Sequence, residues 1–277
     1  MLFPHKNSLI ISYPRKRPKS HMTDRIDGLI NLIKNDYVIS IRENDFKDSH
    51  MFEHTDGSYK VIDWGDRDNV IKIDSRSCLT DNKCQFVLKC QLRPESPEKL
   101  RPFFYCDKGS AKFLQIFQEL RSNPKNGFKS KMYWRGNAHL EREIVLTKLG
   151  SQYLNSDYME KQHKDMFYQE MSHAKLALSL PGLGKACHRE FEAFAVGTPV
   201  IMPRFDNLFY VNIIPNFHYV SVDVEGRDIA EAIKERYHEV INNTDFLAYI
   251  RQNAIEYYDN YIRLDKNVLW IKKLLEL

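Results

Sequence analysis

The chain has 277 residues, of which 43% are hydrophobic and 28% charged, with 11 glycines and 11 prolines. That is enough for one large domain or two modest ones, and it excludes a disordered, collagen-like or disulfide-scaffold chain. Lysines and arginines number 41 against 37 acids, a formal charge of +4, and the excess is local. Residues 1–25 hold Lys6, Arg15, Lys16, Arg17, Lys19 and Arg25 against Asp24 alone. The remaining body is nearly neutral, which argues against nucleic-acid binding, where a basic face carries a stronger bias. Any anion this body binds must be met by a few placed cations.

The five cysteines are Cys78, Cys84, Cys90, Cys106 and Cys187. The spacing of the first four matches no common zinc pattern, and an odd count without a leader reads as reduced structural thiols. No apolar run approaches the roughly 20 residues of a membrane span or the roughly 7–15 of a signal-peptide core. The expectation is a cytoplasmic protein without membrane insertion.

In chain order, Ser8–Tyr13 reads as a short strand and Asp24–Asn35 as a helix, with Ile26, Leu29, Ile30 and Ile33 on one stripe. Strand-like runs follow at Tyr37–Ile41, Tyr59–Ile62, Val70–Ile73, Phe86–Leu92 and Phe103–Cys106, separated by turns such as Asp56-Gly57. Ser110–Leu120 is helical, and Ser122–Ser130 carries the strongest boundary signal. Lys131–Trp134 is a strand candidate, Gln162–His173 a helix and Leu176–Leu180 a strand. A loop with Gly182 and Gly184 leads to a helix over His188–Val196 that stops at Gly197. Val200–Met202 and Tyr219–Val222 are strands, and Asp228–Asn242, Asp245–Tyr261 and Asp265–Leu275 are helices. This alternation predicts an α/β fold with a parallel sheet covered on both faces.

The chemistry concentrates in Ser179–Pro203. A strand ends at Leu180, and a glycine-containing loop feeds a helix whose first turn holds His188 and Arg189. Free N–H groups and the positive dipole end at such a helix start suit a phosphate. Lys185 and Arg189 add charge, and arginine can grip a diphosphate bidentately. Glu192 lies one turn beyond Arg189 and offers acceptors to ribose hydroxyls. The same residues also read as a plain helix-surface ion pair beside turn glycines.

A second segment, Tyr133–Glu143, sets Arg135 and Gly136 after a strand, with Arg142 seven residues later. With Asn207–Asp223 it completes an order: aromatic-Arg-Gly, a later Arg, apolar-Pro-Gly, Arg-x-x-Glu, Gly-x-Pro-Val-Ile, then Phe-Tyr, Pro and His-Tyr. Over residues 130–265 this resembles the donor domain of the protein O-glucosyltransferase and xylosyltransferase family and the related exostosin-type glycosyltransferases. The resemblance implies a GT-B fold, two Rossmann-like lobes with a cleft between them. Residues 1–127 would form the acceptor lobe and 128–250 the nucleotide-sugar lobe, with 251–277 crossing back to the first.

The resemblance also implies an inverting transfer of xylose or glucose from a UDP-sugar to a hydroxyl of an oligosaccharide or glycoprotein glycan, with no metal or other cofactor required. Arg135 and Arg189 would hold the diphosphate, supported by Arg142. Glu192 would contact ribose, Pro181 and Gly182 would line the nucleotide pocket, and His218 and Tyr219 would wall it. Val61–Asp66 matches the Val-Ile-x-x-x-Asp of the acceptor lobe and nominates Asp66 as general base, with Asp63 in reserve. Glu43, Asp45 and Asp74 also end strand-like runs. Trp64 and Trp134 flank the two motifs as candidate sugar platforms, Trp64 on the acceptor side. Animal members carry a leader, so this chain looks more like a bacterial or large-virus form. Two rival readings stand: a metal-dependent GT-A enzyme using Asp66 and Asp68, and a non-catalytic nucleotide- or glycan-binding module.

Overall fold

A computed structural model describes residues 7–14, 20–44, 49–64, 75–90, 92, 96–104, 113–122, 131–138, 140–155, 163–182, 185–206 and 208–277. The chain is α/β. It divides into two compact units, Met1–Cys106 with Asn207–Val211 and Leu264–Leu277, and Asp107–Asp206 with Asn212–Arg263. The run 123–130, read as a boundary, lies outside the described residues.

The first unit is built from β1 (Asn7–Pro14), α1 (Ser20–Ile33), β2 (Tyr37–Asn44), β3 (Ser49–His54), β4 (Tyr59–Asp63), α2 (Ser75–Thr80), β5 (Cys84–Lys89) and β6 (Leu100–Pro102). Its strands form one sheet in the order β2-β1-β3-β4-β5-β6. β1 alternates as a half-buried strand should, with Leu9 and Ile11 inward. α1 buries Met22, Ile26, Leu29 and Ile33, one stripe at helical spacing.

The sheet is mixed rather than wholly parallel, because β3 runs antiparallel to both β1 and β4. The tight turn in which the Gly57 N–H reaches the His54 carbonyl at 2.9 Å joins β3 to β4 as a hairpin, which enforces that direction. β6 precedes the expected Phe103–Cys106 strand, and Phe103 and Phe104 follow it as buried, non-strand residues. The expected strand at Val70–Ile73 lies outside the described residues.

The closing helix of the chain, Leu264–Leu274, packs on α1 within this unit. Arg25 Nε donates to Asn267 Oδ1 at 3.0 Å, both side chains being fully buried. Lys60 Nζ donates to the Leu275 carbonyl at 2.5 Å.

The second unit holds α3 (Leu114–Ser122), α4 (Leu140–Tyr153), α5 (Lys164–Ser172), β7 (Ala177–Leu178), α6 (His188–Val196), β8 (Val200–Pro203), β9 (Val220–Val222), α7 (Ile229–Val240) and α8 (Thr244–Tyr257), which runs into a π-helical turn, Tyr258–Ile262. β7, β8 and β9 are parallel neighbours in that order. The candidate strand at Lys131–Trp134 is reduced to two parallel bridges, Met132 to Leu154 and Tyr133 to Ala177. Met132–Tyr133 therefore lies beside β7, and Trp134 and Arg135 emerge at the sheet's carboxyl edge. α4 is absent from the sequence reading because Ile144 is exposed and Gly150 kinks the helix, which blurs its apolar stripe.

The core of this unit joins Trp134, Leu146, Leu149, Leu178, Ile201, Val220, Ile233 and Ile250. All nine residues of α6 are buried, including His188, Arg189, Glu190 and Glu192. Burying four polar side chains on one helix opposes folding unless each is compensated or used.

Candidate functional site

α6 begins at the carboxyl edge of the parallel strands, where ligands of open α/β sheets bind. Its N-terminus is fixed by Cys187, whose backbone N–H is held by both oxygens of Glu190 at 3.1 and 3.0 Å. This is half of a capping box with cysteine in the usual serine place. Its C-terminus is closed by Gly197 in the left-handed conformation, φ 76°. The Arg121 guanidinium also meets that end, with Nε on the Ala195 carbonyl at 2.6 Å, and its Nη1 donates to both carboxylate oxygens of Asp259 at 2.9 and 2.8 Å. With both ends held, the first turn of α6 is a fixed platform.

Arg189 projects from that turn and is 8% exposed. Its Nη2 donates to the Arg135 carbonyl at 2.7 Å, and its guanidinium carbon lies 3.7 Å from the centroid of the Trp134 ring. Its Nε and Nη1 are buried and have no hydrogen-bond partner. Burial, helped by the nearby Arg142 cation, pulls the arginine below its usual pKa. Neither carboxylate of the same helix closes an ion pair with it among the described residues. Glu190 is spent on the cap, and burial pushes its carboxyl up to about 7. Glu192 accepts from the Tyr168 hydroxyl at 3.3 Å and faces Lys164 at 3.9 Å.

Arg142 is 9% exposed and supports the loop rather than a carboxylate. Its Nε donates to the Pro181 carbonyl at 2.6 Å and its Nη2 to the Leu180 carbonyl at 2.8 Å. The same Nη2 reaches Cys187 Sγ at 2.9 Å. Burial raises the Cys187 thiol to about 12, so it stays protonated.

The loop carbonyls face this cation because Gly182 leaves room. A Cβ there would lie 2.6 Å from Arg142 Nη2. Gly136 is tighter still: its φ is +157°, and a Cβ would lie 2.2 Å from Arg189 Nη2.

Arg135, expected on the diphosphate, has a carboxylate partner in the structure. Its Nε donates to Glu170 Oε2 of α5 at 2.8 Å, while its carbonyl anchors Arg189. Lys185 reaches the Asp206 carboxylate at 2.5 Å. Pro181 and Gly182 are exposed at the loop, and Gly184 lies outside the described residues.

His188 is buried at the helix start. His218 and Tyr219, expected as pocket walls, belong to the packing. His218 Nδ1 accepts the Ile214 N–H at 2.8 Å, and its ring meets Phe217 and Tyr257 edge-on. Tyr219 stacks on Phe205 with ring centroids 6.2 Å apart. What sequence reasoning misses here is Glu170 and Glu190, carboxylates that decide which arginine keeps free donors. The Cys-x-x-Glu spacing of a capping box signals the second.

In the first unit, Asp66, Asp68, Asp45 and Asp74 lie outside the described residues. Asp63 ends β4 and forms a buried pair with Lys89 of β5 at 3.0 Å. Trp64 is 2% exposed and donates from Nε1 to His50 Nδ1 at 3.0 Å, so it is packed inside rather than presented as a platform. Glu43 is exposed on β2. Among the described residues no group of three His, Cys, Asp or Glu side chains is arranged to hold a metal, and no helix is long and apolar enough to cross a membrane.

No protein-family model matches the chain, and no curated protein matches it. Three solved structures overlap it loosely. HepE of Anabaena, in complex with UDP-glucose, is 8% identical, covers 97% of this chain and 100% of its own, and has a TM-score of 0.44. The C-terminal domain of a glycosyl transferase group 1 family protein (LpcC) of Francisella tularensis is 11% identical over 91% of this chain and 85% of its own, at 0.31. Sucrose-phosphate synthase of Thermosynechococcus elongatus is 11% identical over 94% of this chain and 62% of its own, at 0.40. At these TM-scores the likeness carries no function to this chain.

Proposed function

We propose that the chain is a GT-B glycosyltransferase whose second unit binds the diphosphate of a UDP-sugar at the start of α6. The observation that supports this most is Arg189: a buried guanidinium, stacked on Trp134, with Nε and Nη1 unclaimed. A buried donor left without an acceptor costs about 1–3 kcal/mol, more when charged. A diphosphate supplies acceptors of the right sign and geometry. The ordered motifs of residues 130–265 point to the same class of donor.

In this reading a glycan hydroxyl attacks the anomeric carbon from the face opposite the diphosphate. The bond from that carbon to the diphosphate oxygen breaks, and its electron pair leaves with UDP. Arg189 and the N–H groups of the α6 start stabilise the charge that develops there. Arg142 shapes the loop, and Arg135 positions Arg189 through its carbonyl. The hydroxyl proton passes to a carboxylate of the first unit, Asp66 in the first place and Asp63 in the second. The transferred sugar is xylose or glucose. These differ by one hydroxymethyl group, a discrimination of about 1–3 kcal/mol.

The test is turnover of UDP-xylose and UDP-glucose by the wild type, Arg189→Lys and Arg189→Ala. Arg189→Lys keeps the charge but loses the fork, and is expected to retain part of the activity. Arg189→Ala is expected to lose about 100-fold or more, the scale of one removed transition-state donor. Unchanged turnover in Arg189→Ala overturns the reading.

A further inference from the structure

The two edges of the first unit's sheet are built differently. One edge is β6, three residues long, two of which are Arg101 and Pro102. Short length, charge and proline are the usual devices that keep an edge strand from pairing with another chain. The other edge is β2, eight residues in unbroken parallel register with β1. It holds no proline, lysine or bulge, and among the described residues no strand lies beyond it. Along such a strand alternate N–H and C=O groups point away from the neighbour and form a template for a further strand.

β2 also carries apolar side chains that its own unit leaves in solvent. Ile41 pairs with Ile11, which is fully buried, yet Ile41 is 64% exposed. Val38, on the opposite face, is 53% exposed, and Leu32, in the last turn of the helix that leads into β2, is exposed as well. The core face thus runs out unfinished at this edge.

The residues of the edge select its partner. A two-fold axis through Ile39, perpendicular to the sheet, lays two β2 strands antiparallel and keeps both faces continuous. Ile39 then faces Ile39, while Tyr37 faces Ile41, Val38 faces Ser40 and Asp36 faces Arg42, each pair occurring twice. Aromatic with β-branched and acid with base are favourable cross-strand combinations. Moving the axis to Val38 sets Lys34 against Arg42, and moving it to Ser40 sets Glu43 against Tyr37 and Arg42 against Val38. One register therefore complements itself, as an isologous contact requires. Asp36 is exposed and meets Lys272 at 3.5 Å, a surface pair that holds it only weakly and leaves it able to meet a second cation.

We propose that β2 is the dimerisation edge of this chain and pairs antiparallel with β2 of a second copy about Ile39, so that two six-stranded sheets become one. The pairing does not depend on the arginine site of the second unit.

Sedimentation velocity on the full chain at rising concentration is expected to show a monomer passing to a dimer. Ile41→Lys removes both contacts to Tyr37 from an exposed position and is expected to weaken the dimer about tenfold, its melting temperature showing that it folds. Asp36→Arg and Arg42→Asp should each weaken the dimer, and the double change should restore it. Cross-linking reads the register. Facing Cα atoms of an antiparallel pair lie about 4.5–5.5 Å apart, within the roughly 4.4–6.8 Å that a disulfide spans. In oxidised glutathione Ile39→Cys should therefore form an inter-chain disulfide. Ile41→Cys, whose two copies lie four residues apart along the strands, should not, and the wild type reports the native thiols. A chain that stays monomeric at every concentration, a dimer unmoved by Ile41→Lys, a charge swap that restores nothing, or cross-linking at Ile41→Cys as fast as at Ile39→Cys overturns the proposal.

Discussion

Arg189 lies on Trp134, its guanidinium carbon 3.7 Å from the ring centroid, and Arg142 approaches the same ring at 5.5 Å. Two guanidinium groups thus share one indole, and neither forms an ion pair with a carboxylate among the described residues. The ring's electron-rich face offsets part of the cost of gathering like charges, and it fixes the plane in which Arg189 presents Nε and Nη1.

Trp134 is accordingly a positioning residue. Trp134→Phe keeps an aromatic face and is expected to bind UDP within a few-fold of the wild type. Trp134→Leu removes the face and is expected to weaken UDP by a further factor of about 5–30, the range of a desolvated cation–π contact. Calorimetric titration with UDP checks both, with the melting temperature recorded for each to confirm folding. Equal affinities for the two variants contradict the role.

Gly136→Ala tests the close approach. The added methyl would stand 2.2 Å from Arg189 Nη2 at a φ of +157°, so Arg189 must leave the Arg135 carbonyl. UDP affinity is expected to drop nearly as far as in Arg189→Ala, with a stability loss of about 1–3 kcal/mol from backbone strain. Urea unfolding and UDP titration on the same sample separate the two effects.

Stability should depend on pH through buried groups of opposite sense. Burial raises Glu190 from 4.5 to about 7, so the folded state holds its proton more tightly than the unfolded chain. That contribution is fully present below about pH 4.5 and is lost as pH rises through 7, at most about 3 kcal/mol. Burial lowers His50 to about 3 and His218 to about 4 from 6.5. Their contribution is present above pH 6.5 and is lost as pH falls toward those values. Urea unfolding from pH 4 to 9 should therefore show a maximum between the two limbs. Glu190→Gln, which keeps an acceptor for the Cys187 N–H, should flatten the alkaline limb and leave the acid one.

In the first unit, Lys89→Met removes the ammonium that faces Asp63 at 3.0 Å in a buried site. The expected loss is about 3–5 kcal/mol, the cost of breaking a buried pair from one side. The double change with Asp63→Asn should recover much of it, because no charge is then left to bury. Urea midpoints of the three proteins decide this. A double change no more stable than Lys89→Met contradicts the pairing.

Much of the second unit is legible in the sequence. Local signals set α6 over His188–Val196, with Gly197 as its stop, and the alternation of short apolar runs with amphipathic helices sets the parallel strands. The contacts that decide the site are not local. Glu170 reaches Arg135 from a helix 35 residues on, so the sequence treats Arg135 and Arg189 as equals when only Arg189 keeps unclaimed donors. β3 reads as polar (Ser-His-Met-Phe-Glu-His) because only its Phe52 and His50 are inward, so both the strand and His50 escape notice. Lys89 and Asp63 meet only through strand register. Asp66, the first-named base, lies outside the described residues.

The most direct measurement is calorimetric titration of UDP into the wild type and Arg189→Ala at one pH and salt concentration. The wild type should bind UDP saturably and Arg189→Ala about 100-fold more weakly, the loss of two charged hydrogen bonds at about 1.5 kcal/mol each. Equal affinity in the two proteins, or no binding of UDP to a folded wild type, would contradict it.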